Sequence, residues 1–218
     1  MKISKQLWHS PVVLICNAVN PLTGRVHDFQ WLAEINEQVL NHLQEVILIA
    51  DDSHGIGIVG KDGCGIFSQI PDLPFINKVV VASMGKALGM SVGMVLGNTQ
   101  TIQHLRKNIF YSGASPALPA YLYAFSKAQD IYQMQLEKLR TNIAFFIEQI
   151  TDLHLFDFTT NYPVFRTSKN SLYEKLLENK ILISSFPYPK PDSELITRVV
   201  LSSLHTKEDL EYLVSKLK

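Results

Sequence analysis

Cysteine is scarce, neither sign of charge is in excess, and no long apolar run occurs. Each shortage excludes a class of protein. The two cysteines in 218 residues, Cys16 and Cys64, fall in a strand-like run and a glycine-rich loop. Neither belongs to a Cys-x-x-Cys motif or to a Cys/His pair at metal-ligand spacing. Both read as reduced thiols of a cytosolic protein, and no metal is expected. Twenty Lys and Arg balance twenty Asp and Glu, so there is no basic field to condense on a phosphate backbone or to hold an anionic membrane surface. The opening stretch from Met1 to His9 carries charge but no apolar segment of signal-peptide length, and nothing later approaches the roughly 18 apolar residues of a membrane span. The expectation is a soluble, unexported, cytoplasmic protein that takes neither nucleic acid nor membrane.

What is present is an ordinary globular composition, 46% hydrophobic and 18% charged, sufficient for a sizeable core and at most one domain boundary. Short β-branched runs alternate with longer segments in the first half: Val12–Cys16, Val46–Ala50, Lys78–Ala82 and Val92–Leu96. They are apolar without alternation, the pattern of strands buried on both faces, and imply an α/β protein with a mainly parallel, covered sheet. Between the first two runs, Trp31, Ile35, Val39 and Leu43 recur near helical spacing over about 28–43. A helical pattern runs from Pro116 to Ile150 with no breaker after Pro119. Beyond it the texture changes to short strand-like pieces (156–158, 163–165, 181–183, 196–201), a helix over 171–179, a proline-rich stretch from Pro187 to Pro191 and a closing helix. That last helix opens on Thr206-Lys207-Glu208-Asp209, a hydroxyl at the N-cap with an acid three residues on. The partition expected is a large domain over 1–150, including the long connecting helix, and a small α+β domain over 151–218.

Nine of the eleven glycines lie between Gly55 and Gly97. Gly55-Ile56-Gly57-Ile58-Val59-Gly60 matches the dinucleotide fingerprint after a predicted strand. That site needs a helix opening at the third glycine, yet Lys61-Asp62-Gly63-Cys64-Gly65 follows, then Pro71 and Pro74. A loop is expected instead. Asp51 and His54 close the second strand, where ligands of open α/β sheets bind; a solvated turn would look the same. Lys86 closes the third, in Ser83-Met84-Gly85-Lys86-Ala87-Leu88-Gly89. A lysine in an apolar, glycine-flanked segment is expected to be buried for a task. Desolvation would move its amine from about 10.4 toward about 7 to 8 and make it a nucleophile, the requirement for a Schiff base.

Taken together, the run from Asp51 to Gly65, the run from Ser83 to Gly89, and Phe110-Tyr111-Ser112 with Pro116 behind it closely resemble the pyridoxal-phosphate-dependent α-oxoamine synthases. That family includes 8-amino-7-oxononanoate synthase and 2-amino-3-ketobutyrate CoA ligase, and falls in the fold type I aminotransferase superfamily. The resemblance runs from about Val12 to the end, where Arg198 to His205 is similar to the family's last strand. It implies pyridoxal 5'-phosphate as cofactor, a homodimer or a pairing with another chain, and a transferase acting on a small amino acid and an acyl-CoA. By the same resemblance, Asp51 pairs with the pyridinium nitrogen and His54 hydrogen-bonds the cofactor's phenolic oxygen. Ser83 offers a hydroxyl to the phosphate, and Lys86 bonds covalently to the cofactor and moves the α-proton. Arg198 grips the substrate carboxylate, a task suited to a bidentate donor; a structural salt bridge is the rival reading.

Departures from the family pattern are specific. The long N-terminal segment that supplies phosphate ligands and a ring-stacking histidine has no counterpart, and His9 lies too close to the first strand to stand in. Asn17-Ala18 and Pro21-Leu22-Thr23-Gly24 replace the family's residues after the first shared strand, and Gly113 replaces a hydroxyl expected from the partner subunit. Without that segment both margins of the sheet would be open to pairing, so the isolated chain is expected to associate. Three functions follow from the sequence: condensation of an amino acid with an acyl-CoA, or transamination, on this scaffold; a non-catalytic fragment or subunit acting through association; and a dinucleotide module, recognisable by a helix beginning at Gly60.

Overall fold

The computed structural model describes residues 12–34 and 46–217. The chain divides into two compact units: 1–19 with 27–128, and 20–26 with 129–218. The boundary at 128/129 puts the long helix with the second unit, whereas the sequence partition counts it with the first; its buried residues explain the difference below.

The first unit is built on a four-stranded sheet. Strands β1 (Val12–Asn17), β2 (Val46–Asp51) and β3 (Ile76–Ser83) run parallel, and β4 (Gly93–Leu96) returns antiparallel to β3, in the order β1-β2-β3-β4. The register sets Asn17 beside Asp51 and Asp51 beside Val81, so the polar ends of the parallel strands share one edge of the sheet. Because strand side chains alternate between faces, Leu48, Ala50 and Val80 point one way. There they pack with Phe29, Leu32, Ile66 and Ile70 into one core, roofed by the chain that leads from β2 to β3. Lys78 ties that roof down from β3. Its ammonium meets Asp72 at 2.6 Å, donates to the carbonyls of Phe67 and Ile70, and lies 4.6 Å from the Phe67 ring centre.

The opposite face is less covered by the described residues than the apolar runs imply. Val13, Ile15 and Val95 are 49%, 76% and 41% exposed. Helices α1 (Thr99–Lys107), α2 (Ile109–Ser112) and α3 (Pro119–Lys127) bury no side chain. The unalternated apolar runs correctly mark strands of a mixed, mainly parallel sheet, and among the described residues the second face is covered only in part: Val79 is buried, and Asn77 donates to Thr101 of α1 at 3.1 Å. Of the amphipathic stretch expected over 28–43, Gln30–Glu34 form a short 3-10 helix in which Leu32 is buried; Ile35, Val39 and Leu43 lie outside the described residues.

The second unit closes on itself. Helix α4 (Gln129–Gln149) and helix α6 (Lys207–Leu217) pack with helix α5 (Leu172–Glu178) and an antiparallel sheet of β5 (Asp157–Phe158), β6 (Val164–Thr167), β8 (Leu195–Val200) and β7 (Ser184–Pro187), ordered β5-β6-β8-β7. Phe146, Phe156 and Phe165 meet at its centre, with Phe146 edge-on to Phe165 at 4.8 Å. Ile143 and Phe146 of α4 belong to this core, which is why the helix counts with the second unit. The continuous helix expected over 116–150 breaks at Ala128, where the unit boundary falls. Residues 181–183 do not form a strand. Lys180 adopts a left-handed conformation, its N–H bonds the Leu177 carbonyl and the Ile181 N–H the Leu176 carbonyl, so these residues terminate α5. The expected N-cap is present at α6: Thr206 N–H donates to Asp209 Oδ2 at 2.8 Å, and Asp209 N–H to Thr206 Oγ1 at 3.2 Å.

Candidate active site

The site is assembled at the carboxyl ends of β2 and β3. Asp51 is the last residue of β2, and its Oδ1 accepts the Ser53 N–H at 2.8 Å. Burial pushes the Asp51 carboxyl up, but the Ser53 hydroxyl and N–H, and then the charges of Lys86 and His54, outweigh it and leave its pKa below the ordinary value. The carboxylate is therefore ionised at neutral pH and lies within Coulombic range of the amine at position 86. Ser53 bridges the two strands: it is buried, and its Oγ accepts the Ser83 N–H at 2.9 Å. Ser83 in turn accepts the Gly85 N–H at 3.3 Å, shaping the turn that carries Lys86. His54 is half-buried in the turn after Asp52, whose carbonyl accepts the N–H groups of Gly55 and Ile56, both at 2.9 Å.

The structure thus brings Asp51, His54, Ser83 and Lys86 together in one unit. Ser53, the residue that links them, is missed by the sequence reading; a hydroxyl two positions after the strand-end aspartate is the signal that could have found it. Lys86 differs from expectation in one respect: it is exposed, along with Ser83, Gly85 and Ala87. The largely buried lysine of this region is Lys78, whose side chain is 13% exposed, and its task is structural.

Arg198 belongs to the second unit. Its Nη1 donates to the Pro21 carbonyl at 2.7 Å, its guanidinium carbon lies 5.2 Å from the Phe186 ring centre, and its Nε is buried without a hydrogen-bond partner. Burial pulls its pKa down, with Tyr162 acting in the opposite sense. The ion pairs among the described residues are Lys78–Asp72 and Lys207–Glu211, so the rival structural salt bridge for Arg198 is absent from that set.

The glycine fingerprint forms a loop closed by Gly57 N–H to Gly63 O and Gly65 N–H to Val59 O, both at 2.8 Å. After Gly60 comes a three-residue 3-10 turn with Asp62 in a left-handed conformation, and no α-helix opens there to hold a pyrophosphate.

The family model for aminotransferase class I and II matches residues 2–217. The chain belongs to that family. Among curated relatives, the 8-amino-7-oxononanoate synthase of Petrotoga mobilis is 26% identical over 94% of this chain and 54% of its own length. The serine palmitoyltransferase of Sphingomonas wittichii superposes with a TM-score of 0.74 at 17% identity, over 95% of this chain and 54% of that one. The 8-amino-7-oxononanoate synthase of Francisella tularensis gives 0.65 at 22% identity, over 94% and 63%. The architecture is therefore the α/β fold of the fold type I pyridoxal-phosphate-dependent transferases, of which the chain spans about half the length of the curated relatives it matches.

Proposed function

We propose that the site is the cofactor-holding half of a pyridoxal-phosphate-dependent transferase that condenses a small amino acid with an acyl-CoA thioester, transamination being the alternative on the same scaffold. One observation carries this reading: Ser53 joins the strand ends, its N–H donating to Asp51 Oδ1 and its Oγ accepting the N–H of Ser83, three residues before Lys86. The site also fits the cofactor chemically. A carboxylate held ionised by the Ser53 hydrogen bonds and the Lys86 charge is what a protonated ring nitrogen requires, and an exposed amine is free to meet an aldehyde. When bound, pyridoxal 5'-phosphate supplies an electron sink for a carbanion at the substrate's α-carbon.

The chain's own residues divide the remaining work. Asp51 keeps the ring nitrogen protonated, and Ser53 keeps Asp51 oriented. Lys86 holds the cofactor and moves the α-proton. His54 donates to the cofactor's phenolic oxygen. Ser83 presents its hydroxyl to the phosphate. Arg198, whose Nε has no internal partner, grips the substrate carboxylate through a planar donor pair. The exposed apolar residues Val13, Ile15 and Val95 support association with a second copy of the chain or with another chain, and the setting is the cytoplasm.

The test is optical and chemical. Pyridoxal 5'-phosphate added to the protein should give a visible band, and borohydride should fix the cofactor's mass on Lys86. Lys86→Ala should lose both signals with an unchanged melting temperature. A protein that stays colourless and unlabelled at millimolar cofactor overturns the catalytic reading in favour of a scaffold that acts through association alone, a role that the exposure of Lys86 would then suit.

A further inference from the structure

Asp52 has no part in the chemistry above, yet it is the most deeply buried acidic side chain at the site, 1% exposed. Its backbone extends the pairing of β2 with β3 by one residue, donating to the Val81 carbonyl at 2.8 Å. Its carbonyl closes the turn containing Ser53 and His54. Its side chain turns away from Asp51 into the roof of the core, where Oδ2 accepts the Ile66 N–H at 2.9 Å and Oδ1 has no partner.

The carboxyl is gripped between two glycines. A Cβ on Gly55 would overlap Oδ1, and one on Gly65 would overlap Oδ2. Gly65 also has φ of +77°, a conformation L side chains resist. These two positions account for part of the glycine clustering: they let the loop close on a carboxyl.

We propose that Asp52 is a positioning residue, pinning the 55–66 loop to the end of β2 so that the turn holding Ser53 and His54, and through Ser53 the Ser83 end of β3, keeps its place beside Asp51. The proposal deepens the functional reading, since what it positions is that site, but its tests need no cofactor. Loss of the carboxyl should release Ile66, Gly55 and Ser83 together, because the side chain pins the loop that the Gly55 bond to the Asp52 carbonyl and the Ser83 bond to Ser53 depend on.

In the unmodified full chain without cofactor, the Ile66, Gly55 and Ser83 amides should exchange with deuterium at protections within about threefold of one another, as one opening unit. Asp52→Ala should speed all three at least tenfold and shift the His54 ring resonances. Asp52→Asn, which keeps an acceptor for Ile66 N–H, should restore the exchange rates to within about twofold and return the His54 signals. A side chain that merely stabilised the fold would lower the melting point without moving His54 below it. An Ile66 amide that exchanges freely in the unmodified chain while Ser83 stays protected overturns the proposal, and this comparison decides the matter even if Asp52→Ala does not fold. Unaltered Ser83 exchange and His54 resonances in a folded Asp52→Ala protein overturn it equally. Failure to bind pyridoxal 5'-phosphate would remove the functional reading and leave these exchange results as they stand.

Discussion

The two units bury apolar surface in different ways. The second has a closed core in which Phe146, Phe156 and Phe165 interlock and helices α4 and α6 cover the sheet. The first carries the proposed chemistry on a sheet with one face partly exposed among the described residues, and polar clips secure the roof on the other: Lys78 on Asp72 and two carbonyls, and Asp52 on Ile66. Independent stability should reside in the second unit, while the first combines a reactive end with surface available for burial elsewhere. The difference predicts where substitutions will hurt and how the hurt will depend on pH and on association.

The largest effect should come from Phe165, fully buried at the centre of the aromatic cluster. Phe165→Ala removes a ring from a site that cannot collapse around it and should cost about 3–5 kcal/mol. Urea denaturation followed by circular dichroism would measure it. A loss below about 1 kcal/mol would erase the distinction between a closed unit and an open one.

Asp52 gives the next effect, on a pH axis. Burial raises its pKa from 3.8 to about 6, the Ile66 N–H works downward and the Asp51 charge again upward. With the folded value above the unfolded one, the protonated carboxyl favours folding. Its contribution is complete below the unfolded pKa and is lost as pH rises through 6. At about 1.4 kcal/mol per unit, the swing is of order 3 kcal/mol between pH 3.5 and 7. The melting temperature of Asp52→Asn should therefore gain on the unmodified chain across that interval, the difference cancelling contributions from Asp51 and other acids. A constant difference would mean that Asp52 does not titrate in the folded protein.

Lys78 is where sequence and structure part most instructively. The sequence reading expects Lys86 to be buried for a task; the lysine that is buried for one is Lys78, eight residues earlier, and its task is structural. Spacing identifies the strand but not whether Lys78 within it or Lys86 beyond its end is the covered lysine, because Asp72, Phe67 and Ile70 come from a loop whose path no periodicity encodes. Other losses have the same origin. The Ile181–Ile183 run reads as a strand, but Lys180 in a left-handed conformation turns it into a helix terminator. The apolar composition of the strands is legible, whereas the exposure of Val13, Ile15 and Val95 depends on packing between distant segments that no local pattern encodes. Features written in adjacent residues came through: the strands at 12–16, 46–50 and 78–82, the Thr206 cap, and the absence of a helix after Gly60. At the site, the strand-end residues were legible, while Ser53 and Asp52 act through contacts with Ser83 and Ile66, distant in sequence. Lys78→Met keeps the aliphatic stem and loses the hydrogen bonds and the ion pair; it should cost about 1–2 kcal/mol in denaturation, leaving the carbonyls of Phe67 and Ile70 to be rehydrated. A neutral Lys78→Met would mean that the roof is held by Ile66 and Ile70 alone.

The smallest effect on folding and the clearest on assembly should come from Ile15, the most exposed of Val13, Ile15 and Val95 at 76%. Its side chain adds little to the isolated unit, so Ile15→Ser should change folding stability by no more than about 0.5 kcal/mol. If that face is buried in an associated form, the same substitution forfeits about 1.5–3 kcal/mol per site, an association constant at least tenfold lower. Sedimentation equilibrium of the two proteins separates the cases. A chain that associates equally well with serine at position 15 would place its contact surface elsewhere, with the apolar residues of α2, Ile109 at 77% and Phe110 at 83% exposed, as the next surface to alter. A chain that remains monomeric at every concentration would show that a mixed sheet with Val13, Ile15 and Val95 exposed on one face can stand alone, against the weight of what such faces cost.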